Sequence, residues 1–115
     1  MRIRPVSLAA AIIVVPAIAA LGQAPVGPPT DAEMLALVKV HCVQCHATEP
    51  SHEAFAKPPA GILLETIEQV ARSAPKIMAQ VVVSRAMPLG NQTGMTDEDR
   101  ERIAAWIERL DRRPQ

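Results

Sequence analysis

Two cysteines stand three residues apart in this chain, Cys42 and Cys45 of VHCVQCHATEP, with His46 directly behind the second, and they are the only cysteines in the sequence. A pair at this spacing can close a disulfide, hold a metal or be alkylated by a cofactor, and each outcome ties about one turn of chain to a single object. The fold must accommodate that object, because the sequence has little else to build a centre from: one Phe, one Trp and no Tyr in 115 residues. Small domains bury a modest share of their surface, so a chain this poor in large side chains needs something else in its middle.

The start of the chain narrows the setting. Arg2 and Arg4 precede an apolar run from Val6 to Leu21, and small residues follow at Ala17, Ala19, Ala20 and Gly22. This is the pattern of a secretory signal peptide over residues 1–22, cut after Ala19 or Gly22. The alternative is a retained membrane anchor, since spans need roughly 17 to 25 apolar residues. Either way the remainder is exported, to a periplasm if the source is bacterial. Twelve basic residues balance twelve acidic ones; removing Arg2 and Arg4 leaves ten against twelve and a net charge of about −2. Nucleic-acid binders carry a concentrated basic face, so that class of partner is excluded. Residues 23–30 form a proline-rich spacer, and residues 31–115 are the domain.

The domain reads as all-α. Thr30 and Glu33 make a capping box ahead of AEMLALVKVHC, whose apolar positions Leu35, Val38, Cys42 and Cys45 recur at offsets of three and four and turn the thiols inward. A loop with Pro50, Pro58, Pro59 and Gly61 follows. Thr66 and Gln69 repeat the box and open a short helix, IEQVARS. Pro75 sits near the start of a third, PKIMAQVVVSR, with an apolar face of Ile77, Met78, Val81 and Val82. It stops before AMPLGNQTGMT, a loop held by Pro88, Gly90, Asn91 and Gly94. Thr96 caps the last helix, Asp97, Glu98 and Asp99 crowd its positive end, and Arg109, Arg112 and Arg113 lie toward its negative one. Its buried stripe is Ile103, Trp106, Ile107 and Leu110, and its charges form a solvated face with pairs such as Glu98 with Arg102. No segment has the period of a strand.

Three chemistries compete for the cysteine pair. Structural zinc takes four Cys and His ligands, and His41, His46 and His52 are not at finger-like spacing. A thioredoxin-like dithiol sits at a helix N-terminus beside a βαβ unit; this pair is at a helix C-terminus in a chain without strands. The remaining reading is covalent haem attachment, for which C-x-x-C-H is the signature. Two thiols one turn apart reach the two vinyl groups on one porphyrin edge, and the next residue presents its imidazole to the iron. Haem also supplies the flat apolar body that the missing aromatics leave wanting. The expected cofactor is therefore one haem c, bonded to Cys42 and Cys45 with His46 on the iron.

The second axial ligand decides between electron transfer and chemistry on a small molecule. Met34 precedes the cysteine motif in the same helix and Met78 lies on an apolar helical face, and both are read as packing. Met87 stands at a helix exit, followed by Pro88 and a glycine-bearing loop, where the backbone can carry a thioether across a flat cofactor. Met95, in the same loop, is the runner-up, but it directly precedes the Thr96 cap. His41 adjoins Cys42 and cannot cross to the opposite face, and His52 is read as solvated.

CVQCH, then MPLGN about forty residues on, then MTDEDRERIAAWI, together resemble a class I c-type cytochrome. More narrowly, CHATEPSHEAFAKPPAGILLE, APKIMAQVVVSRAMPLGNQTGMTDEDR and the terminal helix resemble the cytochrome c domain at the C-terminal end of bacterial membrane-bound urate oxidases, across Asp31 to Leu110. The resemblance implies about four helices around one haem, with the first and last packed together and His46 and Met87 as axial ligands. It further implies a proline carbonyl, of Pro58 or Pro59, accepting from the other ring nitrogen of the histidine. Asn91 either hydrogen-bonds near Met87 or a propionate, or holds its own turn. The expected activity is that of a periplasmic electron carrier rather than an enzyme, taking electrons from a dehydrogenase or quinol-oxidising complex and passing them to an oxidase. The alternatives are an electron-accepting subunit of such an oxidase or dehydrogenase and a haem-based gas sensor.

Overall fold

The computed structural model describes residues 11–14 and 27–114. Of the expected export signal only residues 11–14 are described, and of the spacer residues 27–30; among the described residues, no helix is long and apolar enough to cross a membrane. Four α-helices make the frame: α1 (Asp31–His41), α2 (Ile67–Arg72), α3 (Ala74–Ile77) and α4 (Asp97–Asp111). No strand occurs among the described residues, and the domain is all-α.

Local chemistry sets where the helices begin. Thr30, Thr66 and Thr96 each accept from the backbone N–H three residues on, while Glu33, Gln69 and Asp99 reach back to the cap's own N–H. Each box satisfies two of the backbone donors that a helix start leaves unpaired. Before α1, Pro29 and Met34 are both buried, at the two positions of a hydrophobic staple. The phase of α1 differs from expectation by one residue. Its fully buried positions are Met34 and Val38, with Leu37 and Cys42 packed beside them, and Leu35 is only half-buried. The Met34–Val38–Cys42 line follows i, i+4 steps, and Leu35 falls one position off it.

Helices α1 and α4 pack against each other. The single tryptophan, Trp106, is buried in α4, and its indole N–H donates to Asp31 Oδ1 at 2.9 Å. Arg109 and Arg113 donate to the same oxygen at 2.9 and 3.2 Å, so the start of α1 and the end of α4 share one carboxylate. Arg102 of α4 lies 3.7 Å from Glu33 of α1, and the expected pairing within α4 to Glu98 gives way to this cross-helix contact. Ile103 and Ile107 complete the α4 side of a core that includes Val38, Leu64, Val70, Ile77 and Val81.

Helix α3 does not end at Ile77 but widens into a π-helical stretch, Met78–Val83. Ser84 N–H reaches back five residues to the Ala79 carbonyl at 2.9 Å. Such widened turns are frequent at functional sites. Here the chain leaves the helix through Arg85 in the left-handed region (φ 59°) and leads into the Met87 segment.

Candidate cofactor site

Helix α1 ends at Cys42, whose N–H donates to Val38 at 2.8 Å. The next turn is tight: Cys45 and His46 both donate their N–H to the Cys42 carbonyl, at 3.2 and 2.9 Å. This turn sets Cys42, Cys45 and His46 on one wall of a cavity of about 290 Å³, near the lower end of the range of about 300–1,000 Å³ for cofactor sites. Ile77 and Val81 from the α3–π stretch and Met87, Pro88 and Leu89 from the following loop line it too. The lining is mainly apolar, with Gln44, Lys76, Gln80 and Gln92 among its polar members.

His46 is held at two points. Its carbonyl accepts the Leu64 N–H at 2.9 Å, and its Nδ1 lies 3.0 Å from the Ile62 carbonyl. The partner is thus Ile62, and neither Pro58 nor Pro59 fills the role expected of it. The Pro58 carbonyl accepts Gly61 N–H at 3.0 Å and the Pro59 carbonyl accepts Ile62 N–H at 3.2 Å. Both are engaged in the 3-10 turn Pro59–Gly61, which bends sharply through left-handed Ala60 and Gly61. Pro59 contributes only to the lining, and Pro58 does not reach it. The Nδ1–Ile62 bond orients the ring and leaves Nε2 as the nitrogen available to a ligand.

Of the four methionines weighed, Met87 alone lines the cavity. Met34 and Met95 are buried in the core, and Met78 packs against it. The Met87 main chain is gripped on both sides: its N–H donates to the Gln80 carbonyl at 3.0 Å, and its carbonyl accepts from Arg100 Nη1 at 2.9 Å. Asn91, with φ 47°, holds its own turn by bonding both the N–H and the carbonyl of Met95, at 3.0 and 3.1 Å. It does not line the cavity, so the turn role is the one the geometry carries.

The other histidines also line the cavity, with their rings engaged elsewhere. His41 Nδ1 is 2.8 Å from Thr93 Oγ1 and its Nε2 is 3.7 Å from Asp99 Oδ2. His52, expected to be solvated, instead spans two loops. Its Nδ1 accepts from Ala54 N–H and its Nε2 meets Gln92 Oε1, both at 3.2 Å, and its ring leans on Phe55. Its loop folds back along the cavity, because His52 N–H is tied to the Gln44 carbonyl at 3.0 Å.

The two thiols are not joined to each other. Burial, and then the neighbouring Cys45, pushes the Cys42 thiol up to about 12, which makes it a poor nucleophile at neutral pH. Among the described residues, no group of three or more His, Cys, Asp and Glu side chains is gathered to hold a metal ion. Two participants escaped the sequence reading. The Ile62 carbonyl has no side-chain signature. Arg100 had one: it lies three residues before Ile103, on the apolar phase of α4, where a cation is out of place.

Comparison with models of known protein families, with curated proteins and with solved structures returned no match to this chain.

Proposed function

We propose that this chain is a single-haem c-type cytochrome whose activity is the exchange of one electron at a time with protein partners. The observation that carries the reading is the lining of one cavity, which brings together Cys42, Cys45, the oriented imidazole of His46 and the thioether of Met87 from segments forty residues apart. That donor set fits haem c: two sulfurs for thioether bonds, one nitrogen and one sulfur for iron, and mainly apolar lining for the macrocycle. Bound haem c would supply reversible one-electron chemistry between ferrous and ferric iron.

The chain's own residues do the rest. Cys42 and Cys45 would hold the group covalently, and the Ile62 carbonyl keeps His46 Nε2 as the donor. His46 and Met87 would hold the iron, a ligand pair that would favour its reduced state and would leave the chain suited to electron exchange rather than to substrate binding. Ile77 and Val81 present apolar surface to the cavity, and apolar surroundings would also favour the less charged state of the bound group. The partners that fit are a donor dehydrogenase or quinol-oxidising complex and an acceptor oxidase, met on the exported side of the membrane through a small, short-lived interface.

The test is expression with an export signal and a haem-attachment system. A covalent mass gain of one haem, loss of both alkylatable thiols and a far-red thioether-to-iron absorption that disappears in Met87→Ala are the expected results. Colourless exported protein with two reactive thiols overturns the proposal. Rapid carbon monoxide uptake by the reduced wild type at neutral pH would move it to a gas-binding role.

A further inference from the structure

We infer that Arg100 is a positioning residue that holds Met87 in place, an inference that rests on the reading of Met87 as an iron ligand. Arg100 is 6% exposed, and no carboxylate lies within ion-pair distance of it among the described residues. Burying a cation without an anionic partner is costly unless its donors are occupied. Its acceptors are the Val81 carbonyl, the Met87 carbonyl at 2.9 Å and Asn91 Oδ1 at 3.5 Å; Nε has no partner. All three acceptors belong to the one segment that carries Met87.

The π-helical stretch, Met78–Val83, explains why the first of those acceptors, the Val81 carbonyl, is free. Widening the last turn sends the Ala79 carbonyl to Ser84 N–H and the Gln80 carbonyl to Met87 N–H. Val81, next in line, is left with an unpaired helix-end carbonyl, which Arg100 takes up. Met87 is therefore fastened by its N–H to the helix behind it and by its carbonyl to α4. A planar fork with several donors suits this bridging; a lysine ammonium offers a point charge on a flexible stem. Arg100 thereby ties the Met87 segment, and with it the sulfur donor lining the cavity, to α4, which is itself anchored to α1 through Asp31. A purely structural arginine would stabilise the whole domain without preference for that donor.

The experiment compares holoprotein of wild type, Arg100→Met and Arg100→Lys by two readouts on heating: the thioether-to-iron band and the far-UV circular dichroism of the helices. Loss of one charge-assisted hydrogen bond on the loop changes its open population by about tenfold. In Arg100→Met the band should therefore disappear further below the helix midpoint than in wild type, and carbon monoxide should bind the reduced protein about tenfold faster. Arg100→Lys should fall between the two. Band and helix signals that shift together in the variants, or a carbon monoxide rate equal to wild type, would overturn the inference. If Arg100→Met does not fold, the same comparison on Arg100→Lys decides. A wild type that lacks the band sinks the ligand reading itself, which keeps the two failures apart.

Discussion

Replacing Asp31 by alanine tests how the first and last helices are joined. Asp31 Oδ1 accepts from the Trp106 indole, Arg109 and Arg113, and it occupies the first position of α1. Trp106 is 1% exposed, so loss of its acceptor leaves a buried donor unpaired, at about 1 to 1.5 kcal/mol because water can follow the half-exposed carboxylate's site. The two ion pairs have side chains 29 to 51% exposed and together contribute at most about 0.5 to 1 kcal/mol after solvent screening, the helix dipole included. The sum is about 2 kcal/mol, or about 8 to 16 °C of melting temperature for a domain of this size. Asp31→Asn keeps an oxygen for the indole and removes the charge, so it should lose less than half of that. Far-UV melts in low and high salt separate the parts: salt should shrink the difference between wild type and Asp31→Asn and leave the difference between Asn and Ala. An Asp31→Ala protein that melts with wild type, or an Asn variant as unstable as the Ala variant, refutes this account.

Three further outcomes follow from the same geometry. Asp31 is held below its ordinary value of 3.8 chiefly by the Trp106 N–H, and Asp99 chiefly by the Thr96 N–H; the unfolded chain therefore binds these protons more readily. Their stabilisation is complete above about pH 4 and is lost as pH falls through the lowered folded values, so denaturant midpoints should decline on acidification below pH 4, less steeply in Asp31→Asn. Protein made without haem attachment should show Cys42 alkylated more slowly folded than in urea, by up to about a thousandfold, since burial raises its thiol from 9.0 to about 12; equal rates would contradict its burial. Thr96→Ala should cost about 1 kcal/mol through loss of the α4 cap, read as a melting temperature lower by about 4 to 8 °C.

How much of the site was legible can be judged residue by residue. Cys42, Cys45 and His46 announce themselves because their spacing follows from the chemistry they suit. Met87 was distinguishable from Met34, Met78 and Met95 because it alone stands between a helix exit and a proline-bearing loop, and it alone lines the cavity. The proline carbonyl was wrong because resemblance supplied a role without showing which oxygens the local turn had already used. His52 was misjudged because its loop's return along the cavity depends on a backbone bond to Gln44. Arg100 was visible as a charge on an apolar stripe, but its acceptors are main-chain oxygens contributed by a turn that no side-chain pattern foretells.

The sequence by itself determined what is settled within a turn of chain: three helix starts, each from a threonine and its partner three residues on, the buried face of α4, and the placement of two thiols and an imidazole at the end of α1. Those features depend on short-range hydrogen bonds and periodicity, and side-chain identity encodes them directly. Only the tertiary structure decided that Ile62 orients His46, that Asp31 gathers Trp106, Arg109 and Arg113, and that Arg100 grips Met87. Each of these joins groups far apart in the chain, and two of the three use a backbone carbonyl, a group every residue carries alike. Its partner is set by which segments the core brings side by side.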